Sequence, residues 1–179
     1  MTQQAVKPFL LGYVADPLPE HTPYKGMLAI PYLRRSGHGV LSVVSIRFRC
    51  IEEHTHQGHG KYNTVPGDTG RLFNTIDIVD NDQTIAICEG EMDAIAAHVA
   101  GIPAVGIPGA QMWKPFWSEP FIGFESVWVL ADGDAAGRSF GDTVAKKVST
   151  ARVVPFPEGQ DVNSFICKYG AEALKEKLK

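Results

Sequence analysis

Residues 85–96 read Ile-Ala-Ile-Cys-Glu-Gly-Glu-Met-Asp-Ala-Ile-Ala, and this stretch decides the fold. Its first four residues form a short, continuous apolar run, which is typical of a strand buried on both faces of a parallel sheet. From Met92 onward the apolar side chains recur at helical spacing, and Gly101 ends that pattern. The stretch therefore predicts a buried strand followed directly by a helix, which is the repeating unit of an α/β fold.

The same order of elements repeats downstream. We predict further strands over 104–107, 127–131 and 152–154, and helices over 92–100, 138–148, 161–168 and 171–178. The proline-containing segment 108–120 is expected to form a loop or a broken helix. Strands that alternate with helices indicate a small parallel sheet with helices on its faces.

The first part of the chain has a different sequence pattern, which predicts strands and irregular structure rather than alternating strands and helices. Residues 1–25 are rich in proline and predict an irregular lead-in, whereas 27–33 and 40–48 are β-prone runs separated by a turn. We therefore expect a small β-rich α+β subdomain over residues 1–80, followed by an α/β domain with C-terminal helices over residues 81–179.

Composition places the chain among ordinary globular proteins, with 44% hydrophobic and 21% charged residues among 179. No apolar run approaches the roughly 20 residues that span a bilayer, and no signal peptide is evident, so we expect no membrane partner. The three cysteines form no CxxC pair, which favours a reducing compartment. The expected location is the cytoplasm.

Charge is divided unevenly along the chain. Residues 1–75 hold 8 Lys and Arg against 5 Asp and Glu, a net +3, whereas residues 76–179 hold 9 against 15, a net −6. A basic half joined to an acidic half suits a metal-dependent enzyme that acts on a polyanion. Chance segregation of surface charge explains the same count equally well.

Acidic residues follow the predicted strands directly. Glu89 follows the first, Asp132 and Asp134 follow the third, and Asp161 comes shortly after the fourth. In open parallel sheets, ligands bind beyond the carboxyl ends of the strands, where neighbouring strands lie about 4.8 Å apart. Crowded carboxylates repel one another without a cation, and oxygen-only ligands favour Mg²⁺, with Mn²⁺ able to substitute. A lone acid after a strand is more often a helix cap, but joint placement at successive strand ends favours a metal site.

These motifs resemble a known family. Residues 89–93 resemble the Glu-Gly-x-x-Asp motif of the TOPRIM domain, and 130–138 resemble its Asp-x-Asp motif in the version found in DnaG-type primases. Residues 156–163 resemble a further primase stretch, and segments within 26–63 resemble the basic subdomain that precedes TOPRIM in these enzymes. The resemblance covers about residues 26–170 and implies a TOPRIM fold.

The resemblance also implies roles for individual residues. Glu89, Asp132 and Asp134 match the central metal-binding and catalytic acids, with Glu89 the candidate general base, and Asp93 and Asp161 match supporting metal ligands. The residues that match nucleic-acid or nucleotide contacts are Arg47, Arg49, Lys61, Asn63 and Arg138. Asn163 stands where the family usually has a second aspartate, which implies weaker binding of an outer metal ion.

The implied activity is that of a primase catalytic core, with Mg²⁺-dependent synthesis of short RNA primers on a single-stranded DNA template from ribonucleoside triphosphates. The implied partners are a replicative helicase or a separate zinc-binding chain, because the family's cysteine-rich zinc module is not found in this sequence. Two other functions stay open: a TOPRIM-type nuclease that uses the same acids, and a non-catalytic nucleic-acid-binding replication subunit.

Two further clusters favour structural roles. Cys50, His54, His56 and His59 could hold zinc, but their spacing fits no common zinc motif, so we predict a solvated histidine-rich loop and no bound zinc. Trp113, Phe116 and Trp117 are expected to pack against the sheet rather than stack on bases, because tryptophan is more often packed than functional.

Overall fold

The computed structural model describes residues 6–56 and 58–179. The chain divides into two compact units, Met1–Thr69 and Gly70–Lys179, and each is described by itself. The eleven residues 70–80 thus belong to the second unit, whereas the boundary placed from the sequence assigned them to the first domain. The assignment of nucleic-acid binding to 1–80 and of chemistry to 81–179 stays a prediction.

The first unit contains an antiparallel sheet of four strands. They are β1 (Gly12–Tyr13), β2 (Leu28–Arg35), β3 (Leu41–Arg49) and β4 (Tyr62–Thr64), and they lie in this order across the sheet. A 3₁₀ helix, Pro19–Tyr24, precedes β2 and brings Tyr24 onto Phe48, with the ring centroids 3.9 Å apart. Met27 completes this small core. The two long predicted strands are therefore confirmed, within two residues at each end.

The second unit is built on a four-stranded parallel sheet. Its strands are β5 (Thr84–Cys88), β6 (Ala104–Gly106), β7 (Ser126–Ala131) and β8 (Ala151–Pro155), in the order β6-β5-β7-β8. The helices are α1 (Ile76–Asp80), α2 (Glu91–Val99), α3 (Ala135–Ala145), α4 (Val162–Tyr169) and α5 (Ala171–Lys177). The predicted α/β class, a small parallel sheet flanked by helices after a β-rich subdomain, is confirmed.

The strand order places a crevice at one edge of this sheet. The chain runs from β5 to β6 on one side and then returns to the other side of β5 with β7. Such a reversal of strand order is where open α/β sheets bind their ligands, beyond the carboxyl ends of the strands. The two central strands, β5 and β7, are anchored in the core, because their residues Ile85, Ile87, Val127 and Val129 are fully buried. The residues that directly follow these strands are therefore held in fixed positions.

Several elements differ from the sequence prediction, including β1, β4 and the 3₁₀ helix Pro19–Tyr24, for which no strand or helix was predicted. Helix α3 begins at Ala135 rather than Arg138, because Asp134 caps its first turn and brings two alanines and a glycine into the helix. Helix α1 was not predicted, since its five residues lie in a segment rich in aspartate. The segment 108–120, predicted to be a loop or a broken helix, agrees with the prediction, since it contains two separate 3₁₀ helices, Ala110–Met112 and Pro115–Phe121.

Packing accounts for two of the three aromatic residues in that segment, as predicted. Trp117 is 5% exposed and belongs to the sheet core, and Trp113 is partly buried against it. Phe116, by contrast, is exposed. Among the residues that the structure describes, no helix is both long enough and apolar enough to cross a membrane.

Candidate metal-binding active site

Glu89 is the first residue after β5, the central strand of the parallel sheet. Its Oε1 accepts a hydrogen bond from the backbone N–H of Asp132, 2.9 Å away, at the end of the neighbouring strand β7. The strand register, with Cys88 opposite Leu130, brings these two positions side by side. Burial raises the pKa of Glu89, the hydrogen bond from Asp132 opposes that shift, and the charge of Asp134 adds to it.

Among the acids at this edge, Asp132 has the carboxyl group whose pKa is shifted most strongly. Burial raises its pKa to about 8, with further contributions from the charges of Asp93, Glu89, Asp161 and Asp134. Its Oδ1 is buried and has no hydrogen-bond partner among the residues that the structure describes. A buried carboxylate oxygen without a donor is costly, so Asp132 is expected to gain a proton or a cation.

Asp134 caps helix α3. Its Oδ1 accepts a hydrogen bond of 2.7 Å from the backbone N–H of Gly137, which fixes the carboxyl group at the start of the helix. The capping interaction uses one oxygen, and the residue as a whole is exposed. Asp134 therefore combines the structural role of a cap with a free carboxylate oxygen at the same edge as Glu89 and Asp132.

Two more acids approach Asp132 from other helices. Asp93, in the first turn of α2, accepts a hydrogen bond of 3.1 Å from the backbone N–H of Asn163. Asp161 caps α4 in a reciprocal arrangement: its Oδ1 accepts from the N–H of Ser164, and its own N–H donates to Ser164 Oγ. The charges of both acids contribute to the raised pKa of Asp132, so all five predicted acids lie around one edge.

Backbone contacts hold the loops that carry these acids together. The N–H of Gly133 donates to the carbonyl oxygen of Gln160 at 2.8 Å, and the N–H of Gly159 donates to the carbonyl oxygen of Gly133 at 3.0 Å. The loop after β8 is thus pinned to the loop after β7. A Cβ atom at Gly137 would lie 2.6 Å from Glu89 Oε1 and 2.6 Å from the amide nitrogen of Asp132, so only glycine fits there.

The donor set at this edge fits a hard divalent cation. It consists of carboxylate oxygens, it is net negative, and the buried Oδ1 of Asp132 has no donor within the described chain. Oxygen-only sets with incomplete protein coordination are typical of Mg²⁺, which keeps several water molecules. A cation would also lower the pKa of Asp132 by stabilising its charged form.

Three of the four predicted basic residues, Arg47, Arg49 and Lys61, lie in the first unit, on β3 or just before β4. Arg47 and Arg49 place their guanidinium groups over the ring of Tyr62, 4.8 and 5.4 Å from its centroid. Both arginines lie on the same face of β3 because side chains alternate along a strand. Lys61 is exposed just before β4.

Asn63 and Arg138 differ from the other predicted contact residues in their surroundings. Asn63 donates from Nδ2 to the carbonyl oxygen of Gly60 at 2.8 Å, so its amide group supports the local chain. Arg138 lies in the second unit, exposed in the first turn of α3 and four residues after Asp134. It is thus the predicted basic residue nearest in sequence to the acids.

The structure brings together four residues for which we predicted no ligand. One ligand atom from each of Cys50, His54, His56 and His59 lies within 4.8 Å of all the others. The sequence analysis named these four residues but predicted no bound zinc, because their spacing fits no common zinc motif. Sequence reasoning missed the buried thiol of Cys88, whose pKa is raised by burial and by the charges of Asp93, Asp132 and Glu89.

Comparison with known proteins agrees with this geometry. The Toprim domain family matches residues 84–172, which contain all five acids. A solved structure of the DnaG catalytic core superimposes with a TM-score of 0.76 at 19% identity, over 99% of this chain and 68% of that one. A DnaG primase catalytic domain bound to ssDNA gives 0.74 at 19% identity, over 99% of this chain and 69% of that one. The chain is thus a Toprim-domain protein with the fold of a DnaG-type primase core.

A phage protein has a higher sequence identity to this chain than these solved structures have. Gene 57 protein of Mycobacterium phage D29 is 48% identical over 155 residues, which are 87% of this chain and 99% of that protein. The chain belongs to the same family as this phage protein. The resemblance to DnaG-type primases with a TOPRIM domain, drawn from the motifs alone, is confirmed.

Proposed function

We propose that this protein is a primase catalytic core that synthesises short RNA primers on single-stranded DNA during DNA replication. The observation that carries the proposal is the buried, unpartnered Oδ1 of Asp132 in a ring of carboxylates at the edge of a Toprim sheet. The DnaG primase domain bound to ssDNA has the same fold and supports this choice of template.

Glu89, Asp132 and Asp134 would hold the central Mg²⁺, and Asp93 and Asp161 would support a second, weaker position. Mg²⁺, when bound, neutralises phosphate charge and the charge that develops on the reacting oxygens. Glu89 lies half-buried against the backbone N–H of Asp132, and that hydrogen bond fixes its orientation. The same burial raises the pKa of Glu89, which suits the carboxyl group that accepts a proton from the attacking 3′-hydroxyl group.

The other residues of the proposal bind and orient the polyanions. Arg47, Arg49 and Lys61 would contact phosphates of the template or the triphosphate, and Tyr62 keeps the two guanidinium groups on one face of β3. Asn63 would support this surface, and Arg138 would meet phosphate groups near the acids. Holding the 3′-hydroxyl group and the α-phosphate in line is a large part of the rate in such reactions.

The proposed partners are ribonucleoside triphosphates, a single-stranded DNA template, and a replicative helicase or a separate zinc-binding chain. The proposed location is the cytoplasm, which would be that of the host if a phage encodes the chain.

The proposal is tested by incubating the full chain with single-stranded DNA, ribonucleoside triphosphates and Mg²⁺. We expect labelled oligonucleotides to grow, and growth to stop when EDTA removes the metal. Asp132→Asn should lower the rate at least about 100-fold, since the loss of one charge-stabilising group in an active site costs that much. Asp142→Asn, an exposed acid on α3, is the matched control and should leave the rate unchanged.

Two outcomes would replace the proposal. Shortening of the DNA or of an added RNA strand, with the same dependence on Asp132, would make the protein a nuclease. Binding of single-stranded DNA without growth or shortening, unchanged in Asp132→Asn, would make it a non-catalytic subunit.

A further inference from the structure

We propose that Cys50, His54, His56 and His59 form a structural Zn²⁺ site in the loop between β3 and β4. This site lies in the first unit and uses sulfur and nitrogen ligands, so it is separate from the carboxylates of the Toprim sheet. It revises our prediction from spacing that no zinc is bound. The site does not depend on the proposed function, because zinc uptake is measured without nucleic acid or nucleotides.

The distances within the cluster match those of a tetrahedral zinc site. Zn–N bonds of about 2.05 Å and a Zn–S bond of about 2.3 Å separate two nitrogens by about 3.3 Å, and nitrogen from sulfur by about 3.6 Å. His54 Nε2 lies 3.3 Å from His59 Nε2 and 3.7 Å from Cys50 Sγ. Two edges of such a tetrahedron, both from His54 Nε2, therefore already have about the right length, and the other ligand atoms lie within 4.8 Å of one another.

His56 supplies the fourth corner. Its ring centroid lies 4.9 Å from that of His54 and 5.3 Å from that of His59, and the three rings meet edge to face. All four ligand atoms lie within 4.8 Å of one another, so closing the tetrahedron needs a shift on the order of 1 Å, which side-chain rotation supplies. Nδ1 of His56 is buried and has no hydrogen-bond partner within the described chain.

Glu52 gives the site an outer carboxylate. Its Oε2 lies 3.5 Å from Nδ1 of His54, on the ring nitrogen that does not face Cys50 and His59. Metal-binding histidines commonly direct their second nitrogen to a carboxylate, which fixes the ring and makes it a better ligand. With Cys50 as thiolate and three neutral imidazoles, Zn²⁺ leaves a net charge of +1, and Glu52 balances that charge.

The loop itself has the properties of a segment that a metal ion stabilises. Residues 50–61 connect β3 to β4 and form no helix or strand at any described position. The N–H of Cys50 donates to the carbonyl oxygen of Lys61 at 2.9 Å, so the ends of the loop are already closed. Within it the side chains are mostly exposed, and a loop of this length gains little from burial. Four zinc ligands would supply the fixed contacts that the polar sequence does not.

A set of histidines joined only by hydrogen bonds accounts less well for the arrangement. It explains one nitrogen–nitrogen contact, since one imidazole can donate to another. It does not explain why a buried thiol lies at the same point, or why Nδ1 of His56 is left without a partner. Thiolate and imidazole together are the ligands that zinc prefers, and four protein ligands are typical of a structural rather than a catalytic zinc site.

The site would fix the positions of two predicted phosphate contacts. Arg49 directly precedes Cys50, and Lys61 closes the far end of the loop. Zinc would therefore hold the backbone at both residues without itself contacting the nucleic acid or the nucleotide.

The test uses the full chain after chelator treatment and dialysis, titrated with Zn²⁺ and, separately, with Co²⁺ as a spectroscopic probe. We expect one zinc ion per chain and, with cobalt, the visible bands of a tetrahedral site together with a sulfur-to-cobalt charge-transfer band. Cys50→Ser should remove the charge-transfer band. Cys50→Ser and His59→Gln should each weaken zinc binding at least about 100-fold, because each removes one of four ligands. Hydrogen exchange in residues 50–61 should slow when zinc is added.

Matched variants separate this site from others. His38→Gln, in the turn between β2 and β3, should bind zinc as the unchanged chain does, and so should Asp132→Asn. The proposal is overturned if the unchanged, folded chain takes up no stoichiometric zinc. It is also overturned if cobalt binds without a sulfur band, or if Asp132→Asn rather than Cys50→Ser abolishes uptake. Since the unchanged chain decides the first outcome, a variant that fails to fold does not obscure the result.

Discussion

A carboxyl group that keeps its proton up to about pH 8 is a poor metal ligand at neutral pH until a cation displaces that proton. Asp132 is in this position, because burial and four neighbouring acids raise its pKa to about 8. The fold therefore carries an unfavourable free energy at Asp132 when no metal is bound. Mg²⁺ would remove that cost, so metal binding and folding are coupled at this residue.

The first prediction concerns Asp132→Asn in the metal-free protein. The pKa of Asp132 rises from 3.8 when unfolded to about 8 when folded, so between these values the folded chain holds more protons and becomes less stable as pH rises. Asparagine cannot titrate, so the variant should be more stable than the unchanged chain at pH 8, by about 1–3 kcal/mol since the group is only half-buried. Near pH 4 the two should agree. Urea unfolding at both pH values measures the difference.

Magnesium should make the unchanged chain more stable relative to Asp132→Asn at pH 8. At a concentration 100 times its dissociation constant, a ligand adds about 2.7 kcal/mol to the free energy of unfolding. We expect that gain in the unchanged chain and little of it in Asp132→Asn. Equal pH profiles for the two metal-free proteins, or equal stabilisation by Mg²⁺, would contradict the assignment of Asp132 as a ligand.

The second prediction concerns the pair His98 and Asp77. Nδ1 of His98 lies 2.7 Å from Oδ2 of Asp77, which is 4% exposed and also accepts the N–H of Ala104. The hydrogen bond to Asp77 raises the pKa of His98, against the opposing effect of burial. The stabilisation is therefore complete below about pH 6.5, the unfolded value, and is lost as pH rises through the higher folded value.

His98→Gln should thus destabilise the protein more at pH 6 than at pH 9. We expect a deficit on the order of 1 kcal/mol at pH 6, because the imidazole is about a third exposed to water. His38→Gln, on an exposed turn, is the control and should show no such dependence. A deficit that grows as pH rises would contradict the charged pair.

At the scale of elements, helix α3 contains a position, Gly137, where helix propensity favours alanine but the space available allows only glycine. Gly137 lies in its first turn, where alanine would ordinarily be about 1 kcal/mol more favourable. The position is instead crowded, because a Cβ atom there would lie 2.6 Å from both Glu89 Oε1 and the amide nitrogen of Asp132. The closest atom would be the carbonyl oxygen of Asp132, so the tight connection from β7 into α3 requires glycine.

The third prediction follows from that conflict. Gly137→Ala should lower stability by about 1–3 kcal/mol through overpacking, rather than raise it through helix propensity. It should also abolish metal-dependent activity, because Glu89 must move. Gly123→Ala, where a Cβ atom meets nothing within 4 Å, should stay within about 0.5 kcal/mol of the unchanged chain. A stabilised and active Gly137→Ala would show that Glu89 and α3 are not in contact.

Sequence reasoning succeeded for elements whose pattern is local. Strand β5 and helix α2 were found because Ile85–Cys88 are continuously apolar and the helix has a regular stripe ended by Gly101. The start of α3 was missed, since an Asp cap followed by Ala-Ala-Gly has no apolar periodicity. The cluster of Cys50, His54, His56 and His59 was named, but zinc binding was not predicted, because its geometry depends on how an irregular loop closes and the spacing of the residues does not report that.

At the scale of the whole molecule, the two halves differ in charge as their proposed roles require. Residues 1–75 carry a net +3 and residues 76–179 a net −6. The sequence sufficed to predict that the acids meet at one edge, because parallel strands bring their successive carboxyl ends together there. It did not suffice for the basic residues, whose surface depends on side chains of two antiparallel strands.

The fourth prediction addresses the proposed phosphate contacts through the salt dependence of binding. If Arg49 and Lys61 each neutralise a phosphate of single-stranded DNA, the slope of log K against log salt should fall by about 0.7 for each residue removed. Arg49→Gln combined with Lys61→Gln should thus weaken binding at low salt, lessen the slope by about 1.4, and affect different DNA sequences alike. Fluorescence anisotropy with labelled oligonucleotides at several salt concentrations measures both quantities. Lys146→Gln, an exposed lysine on the acidic half, should change neither. If the double variant kept the full slope, the phosphates would have to be bound elsewhere on the molecule.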